Sequence, residues 1–167
     1  MLTPLDHPWI ADAEFDPEYR DSIRVAMKSA LAMLESDDPP TWIVTLDESA
    51  MWYRARTRIV VADHATMDVE GNPVESPVST LLTDEQTDSL LSVLDGLSPQ
   101  SVTDVEHFVL DGTSCLVAVM NGAENWCAFS QFNCAGMDAD KLTLPGPRIA
   151  NLLQSFYRAL TAETNGP

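Results

Sequence analysis

A chain of 167 residues, 45% of them apolar, can bury a core of its own, which excludes a disordered acidic tail. Its formal net charge of −17, from 26 acidic and 9 basic residues, repels nucleic acid and anionic membrane and argues against direct binding to either. From Ile59 to Asp140 there is no Lys or Arg, and six of the nine basic residues fall between Arg20 and Arg58.

In chain order, Met1 to Ile10 show no basic cluster followed by an apolar run, so no secretory signal is expected, and residues 1–15 read as an N-terminal arm. Asp16 and Pro17 open a helix as N-cap and first helical residue. It runs to about Glu35, with Ile23, Ala26, Met27, Ala30, Leu31 and Leu34 on one stripe. Pro39 and Pro40 stop it.

Residues 41–46 read as a strand and 51–61 as a second, joined by a loop over 47–50. From Ala62 to Thr80 the chain is polar, with Gly71, Pro73 and Pro77, and reads as one long loop. Thr83 with Gln86 forms a capping box for a second helix. Leu90, Leu91, Leu94 and Leu97 face its core, while Glu85, Asp88, Ser92 and Asp95 line the outer side.

A three-stranded meander is expected next, over 104–110, 113–120 and 125–132, with turns at Asp111-Gly112 and Asn121-Gly122. Its middle strand, SCLVAVM, is apolar on both faces and should be central. Pro147 opens a last helix that buries Ile149, Leu152, Leu153, Phe156 and Leu160. The class is α+β: a hairpin and a meander packed with about three helices in a single domain spanning 1–167.

No stretch approaches the roughly 20 apolar residues of a membrane helix. Three cysteines, Cys115, Cys127 and Cys134, are an odd number, which points to free thiols in a reducing compartment and a cytoplasmic location.

Arg54, Arg56 and Arg58 alternate along a strand and so share one face. They could grip a phosphate or carboxylate ligand, or they could be paired with carboxylates across the strands. His107 with the cysteines lacks the paired spacing of a zinc site. A two-residue turn at Asp111-Gly112 would also set Phe108 opposite Cys115, leaving His107 on the other side of the sheet. No metal and no cofactor is expected. There is no nucleophile elbow and no glycine-rich phosphate loop, so no catalytic residue is assigned.

The C-terminal part has VLDGTS leading into a strand, then the aromatic strand WCAFSQF, then the helix IANLLQSFYRAL. In this it resembles small bacterial immunity proteins that neutralise secreted toxins. The resemblance covers roughly the last 65 residues and implies inhibition by binding, while carrying over no site residue. With the acidic segment it gives the leading expectation of a cytosolic inhibitor that plugs the basic active-site groove of a toxin or nuclease. Glu85, Asp88, Asp95, Asp104 and Glu106 are the candidate contacts to that basic protein partner. A nuclease-blocking phage inhibitor would look the same. The alternatives are a small α+β enzyme with a cleft at the arginine face, and an adaptor or chaperone for a secreted effector, which would expose a large apolar patch.

Overall fold

The computed structural model describes residues 17–50, 53–72, 76–98, 101–104, 114–122, 124–133 and 141–164, together with Leu5. The N-terminal arm therefore lies outside the described residues apart from Leu5. Helix α1 (Pro17–Leu34) is followed by strands β1 (Trp42–Ala50), β2 (Tyr53–Val61), β3 (Ala65–Asn72) and β4 (Val78–Leu81). Helix α2 (Asp84–Leu94), strands β5 (Ser101–Asp104), β6 (Ser114–Met120) and β7 (Trp126–Asn133), and helix α3 (Pro145–Thr164) complete the order. The class is α+β, as the alternation of hairpin signals and helical stripes implies.

All seven strands form one sheet, in the order β4-β3-β2-β1-β6-β7-β5. Every neighbouring pair is antiparallel except β5, which lies parallel to β7. On one face α1 buries Ile23, Met27 and Ala30 against Ile43 of β1, Leu116, Ala118 and Met120 of β6, and Trp126 and Ala128 of β7. On the other, α2 (Leu90, Val93, Leu94) and α3 (Ile149, Ala150, Leu153, Phe156) cover Val44, Leu46, Ile59, Met67, Val117 and Phe129. Helical spacing picks out most of these residues, but Val93 and Ala150 are buried as well, and Leu91, Leu97, Leu152 and Leu160 are only partly buried. Strand β6, buried along nearly its whole length, is covered on both faces.

Four expectations are corrected. Residues 47–50 are the second half of β1 and not a loop, and the pairing continues to Ala50 opposite Tyr53. Pairing with all nine residues of β2 overrides the weak strand propensity of Asp47 and Glu48. Residues 62–80 likewise contain β3 and β4. Ala65, Met67 and Val69 alternate toward the core, a period diluted by the Asp, Thr and Glu between them.

The meander also differs. The β6–β7 hairpin forms, but a strand has two edges, and those of β6 are filled by β1 and β7. Cys115 stands opposite Glu48 on one side and Phe132 on the other, so the register placing Phe108 across from Cys115 does not exist. The placement of His107 on the side of the sheet away from Cys115, which rests on that register, therefore has no support. Phe108, His107 and the Asp111-Gly112 turn lie outside the described residues. Finally, Cys127 is free and buried, but Cys115 is disulfide-bonded. Three free thiols, and the reducing compartment inferred from them, are therefore not supported. Among the described residues no helix is long and apolar enough to cross a membrane.

The last helix starts at Pro145, two residues earlier than its proline signal suggested, which brings Gly146 directly onto β7. A Cβ there would sit 2.5 Å from the Cβ of Phe129, itself buried. Gly146→Ala should accordingly cost about 1–3 kcal/mol through overpacking, read as a lowered urea midpoint at unchanged slope. An unaltered midpoint would show that α3 and β7 are not in close contact there.

Candidate functional site

Neighbouring residues in a strand point to opposite faces, and this places Asp47 and Glu48 back to back in the middle of the sheet. Asp47 shares the α1 face with Arg56, Arg58 and Glu70, its cross-strand neighbours through β2 and β3. Among the described residues the apolar side of α1 packs over β1, β6 and β7, the β2–β3 half of that face carries charged side chains, and a cleft of about 510 Å³ lies beside the helix. Glu18 and Ser22 of α1, Asp47, Arg54, Arg56, Glu70 and Gly71 line it. Gly71 is required where it stands: its φ is +121°, and a Cβ would run into the backbone carbonyl of Arg54.

Arg56 organises the cleft. Its Nε donates to Oδ1 of Asp47 at 2.7 Å, Nη1 to Oε1 of Glu70 at 3.2 Å, and Nη2 to Oγ of Ser22 at 3.3 Å. The Asp47 side chain is 0% exposed, that of Arg56 12% and that of Glu70 59%. Oδ2 of Asp47 is buried and has no hydrogen-bond partner among the described residues. Burial pushes the Asp47 carboxyl up from 3.8 to about 6, against the pull of the Arg56 charge and hydrogen bond, and the nearby Glu70 and Glu48 charges push the same way as burial.

On the other face Glu48 accepts from Nε2 of Gln154 at 2.8 Å and from the Tyr53 hydroxyl at 3.4 Å. Burial raises its pKa, and these two bonds and the charge of Arg158 oppose the rise. The same residues, with Thr57, Val69 and Tyr157, line a second hollow of about 240 Å³. Tyr53 is pushed up to about 12, by burial first and then by Glu48. Because the sheet separates Asp47 from Glu48, the two carboxyls cannot act as acid and base on one substrate. Among the described residues no three His, Cys, Asp or Glu side chains are grouped to hold a metal ion.

Of the residues singled out from sequence, Arg54, Arg56 and Arg58 do share one face. Arg56 holds two carboxylates, and Arg58 pairs with Asp68 at 3.6 Å. Arg56 and Arg58 thus serve cross-strand pairing and are not available to grip an anion. Glu85 and Asp88 are exposed on α2, and Asp95 is exposed at its C-cap. Asp104 is the last residue of β5, an edge strand, and Glu106 lies outside the described residues. Asp47, Glu48, Glu70 and Ser22 were not foreseen; the signal available was charge complementarity between Asp47 and a row of arginines on the next strand.

No family model matches the chain, and no curated protein or solved structure shows significant similarity to it.

The raised Asp47 carboxyl gives the stability a sign with pH. Between 3.8 and about 6 the folded chain keeps a proton that the unfolded chain releases, so this residue's contribution falls as pH rises through that window. Asp47→Asn removes the titration. The stability of the natural chain relative to this variant should drop by up to about 3 kcal/mol between about pH 4 and pH 7, measured by urea unfolding of both. A constant difference over that range would refute the assignment.

Proposed function

We propose that this protein is an inhibitory binding protein of the immunity type, whose acidic surface occupies a basic groove on a toxin or nuclease. The observation that carries this reading is the outer stripe of α2. Glu85 and Asp88 of the helix, and Asp95 at its C-cap, are exposed at positions three and seven apart, and the helix contains no basic residue. The stripe is held rigidly. Thr83 Oγ1 accepts from the Gln86 amide at 3.2 Å while Gln86 Oε1 accepts from the Thr83 amide at 2.9 Å, and Leu90, Val93 and Leu94 are fixed in the core. A preorganised charged face loses little entropy on binding, and its field steers a cationic partner toward it.

The alternatives draw less support. An anion-gripping enzyme cleft needs available guanidiniums, and those of Arg56 and Arg58 are committed to Asp47, Glu70 and Asp68. An adaptor needs a broad apolar patch. Among the described residues the large exposed apolar side chains are Val25, Leu81 and Leu144, which stand on α1, on β4 and just before α3.

Glu85→Lys, Asp88→Lys and Asp95→Lys, combined in one chain, reverse the stripe without touching its buried side. Each change should alter stability by less than about 0.5 kcal/mol. With natural and reversed chains as baits in the native cell, a basic partner should be retained by the first alone. Its affinity should fall at least tenfold, about 1.4 kcal/mol, and its association rate should decrease with salt. A reversed chain that folds and still binds and protects would remove α2 from the interface.

A further inference from the structure

The cleft between α1 and the β2–β3 surface is unexplained by a partner site on α2, which packs on the opposite face of the sheet. A buried carboxylate in a folded protein normally uses both oxygens, because a polar atom without a partner costs about 1–3 kcal/mol. Asp47 uses one. Its Oδ1 takes the short 2.7 Å bond from Arg56, whereas Oδ2 has no partner among the described residues, and the residue forms part of the cleft wall.

The charges identify the kind of donor. The wall carries three carboxylates, Glu18, Asp47 and Glu70, and two guanidiniums, Arg54 and Arg56, so a cation is preferred over an anion. A bare metal ion would need a shell of oxygens, and the described residues do not group one. N–H donors on a cationic nitrogen suit a carboxylate that already shares its other oxygen with a guanidinium. The volume of about 510 Å³ is within the usual range for small-molecule sites.

We propose that this cleft binds a small organic cation bearing a primary ammonium or guanidinium group, whose N–H donors bond Oδ2 of Asp47 and the carboxylate of Glu70. Entry requires Arg56 to loosen its two longer bonds, at 3.2 Å to Glu70 and 3.3 Å to Ser22, while the short bond to Asp47 holds. The ligand then replaces Nη1 as the donor to Glu70.

Agmatine, which carries one group of each kind, is the probe, and butyrate is the anionic control. In calorimetric and amide-shift titrations of the full chain, agmatine should bind saturably with one site, shifting the signals of Ser22, Ala55 and Gly71, while butyrate does not bind. Asp47→Asn should weaken binding about tenfold or more, and Glu70→Gln, at an exposed side chain that should not affect folding, about threefold to tenfold. The triple lysine chain altered on α2 should bind agmatine within about twofold of the natural chain. This separates a defined site from attraction to an acidic surface, and it tests the cleft whatever α2 does. Absence of saturable binding up to about 10 mM, shifts centred on α2, or equal loss in all three variants would overturn the proposal. So would binding unchanged both in Glu70→Gln and in an Asp47→Asn chain that folds.

Discussion

A carboxylate with no exposure, on the middle strand of a sheet, has to find a cation, and the α1 side of this protein is arranged around that need. Asp47 can be charged only because Arg56 lies directly across the β1–β2 ladder with its Nε 2.7 Å away. The other guanidinium nitrogens then recruit Glu70 from β3 and Ser22 from α1. One side chain therefore ties three strands and a helix into a single register. A slip of one residue in β1 would carry Asp47 into the apolar layer beneath α2 and α3 and would leave Arg56 opposite a side chain of the wrong face. Burying such a pair is seldom a net gain in stability, and the raised carboxyl shows that burial outweighs the attraction here. What the pair supplies is specificity of pairing.

The helices were legible in the sequence because their information is redundant. Ile23, Met27 and Ala30, or Ile149, Leu153 and Phe156, repeat one signal several times over, and the Thr83–Gln86 box adds a second, independent one. The α+β class and the buried position of SCLVAVM followed for the same reason. The site was less legible. Asp47 and Glu48 have poor strand propensity, and their placement depends on matching β1 in length to β2, which is a property of two segments taken together. Strand β3 was obscured in the same way, by Thr66, Asp68 and Glu70 alternating with its buried Ala65, Met67 and Val69, and β4 by its length of four residues. For β5 no local cue exists: Asp-Gly and Asn-Gly turns advertise antiparallel neighbours, and a parallel partner is set only by tertiary packing.

The two sides of the sheet thus offer different surfaces. Over α2 the chain presents an exposed acidic stripe. Beside α1 it presents a recess in which charges of both signs are closely interlocked, suited to something small. Asp47 and Glu48, adjacent in sequence, mark the boundary between these two environments. Each is surrounded by different side chains, with Arg56 on one face and Gln154, Tyr53 and Arg158 on the other.

The strand order also fixes a sequence of events during synthesis. Strands β1 to β4 follow one another as a simple up-and-down ribbon and can pair as they leave the ribosome. The far edge of β1, from Ile43 to Ser49, has to wait for Met120 to Ser114 of β6. Strand β5 emerges earlier still, yet its one partner, Cys127 to Ser130 of β7, is synthesised after it. Until those residues arrive the nascent chain carries a half-built sheet with an open, apolar edge, the kind of template on which unfinished chains join one another. The negative charge concentrated between Ile59 and Asp140 would keep such half-made copies apart during that interval.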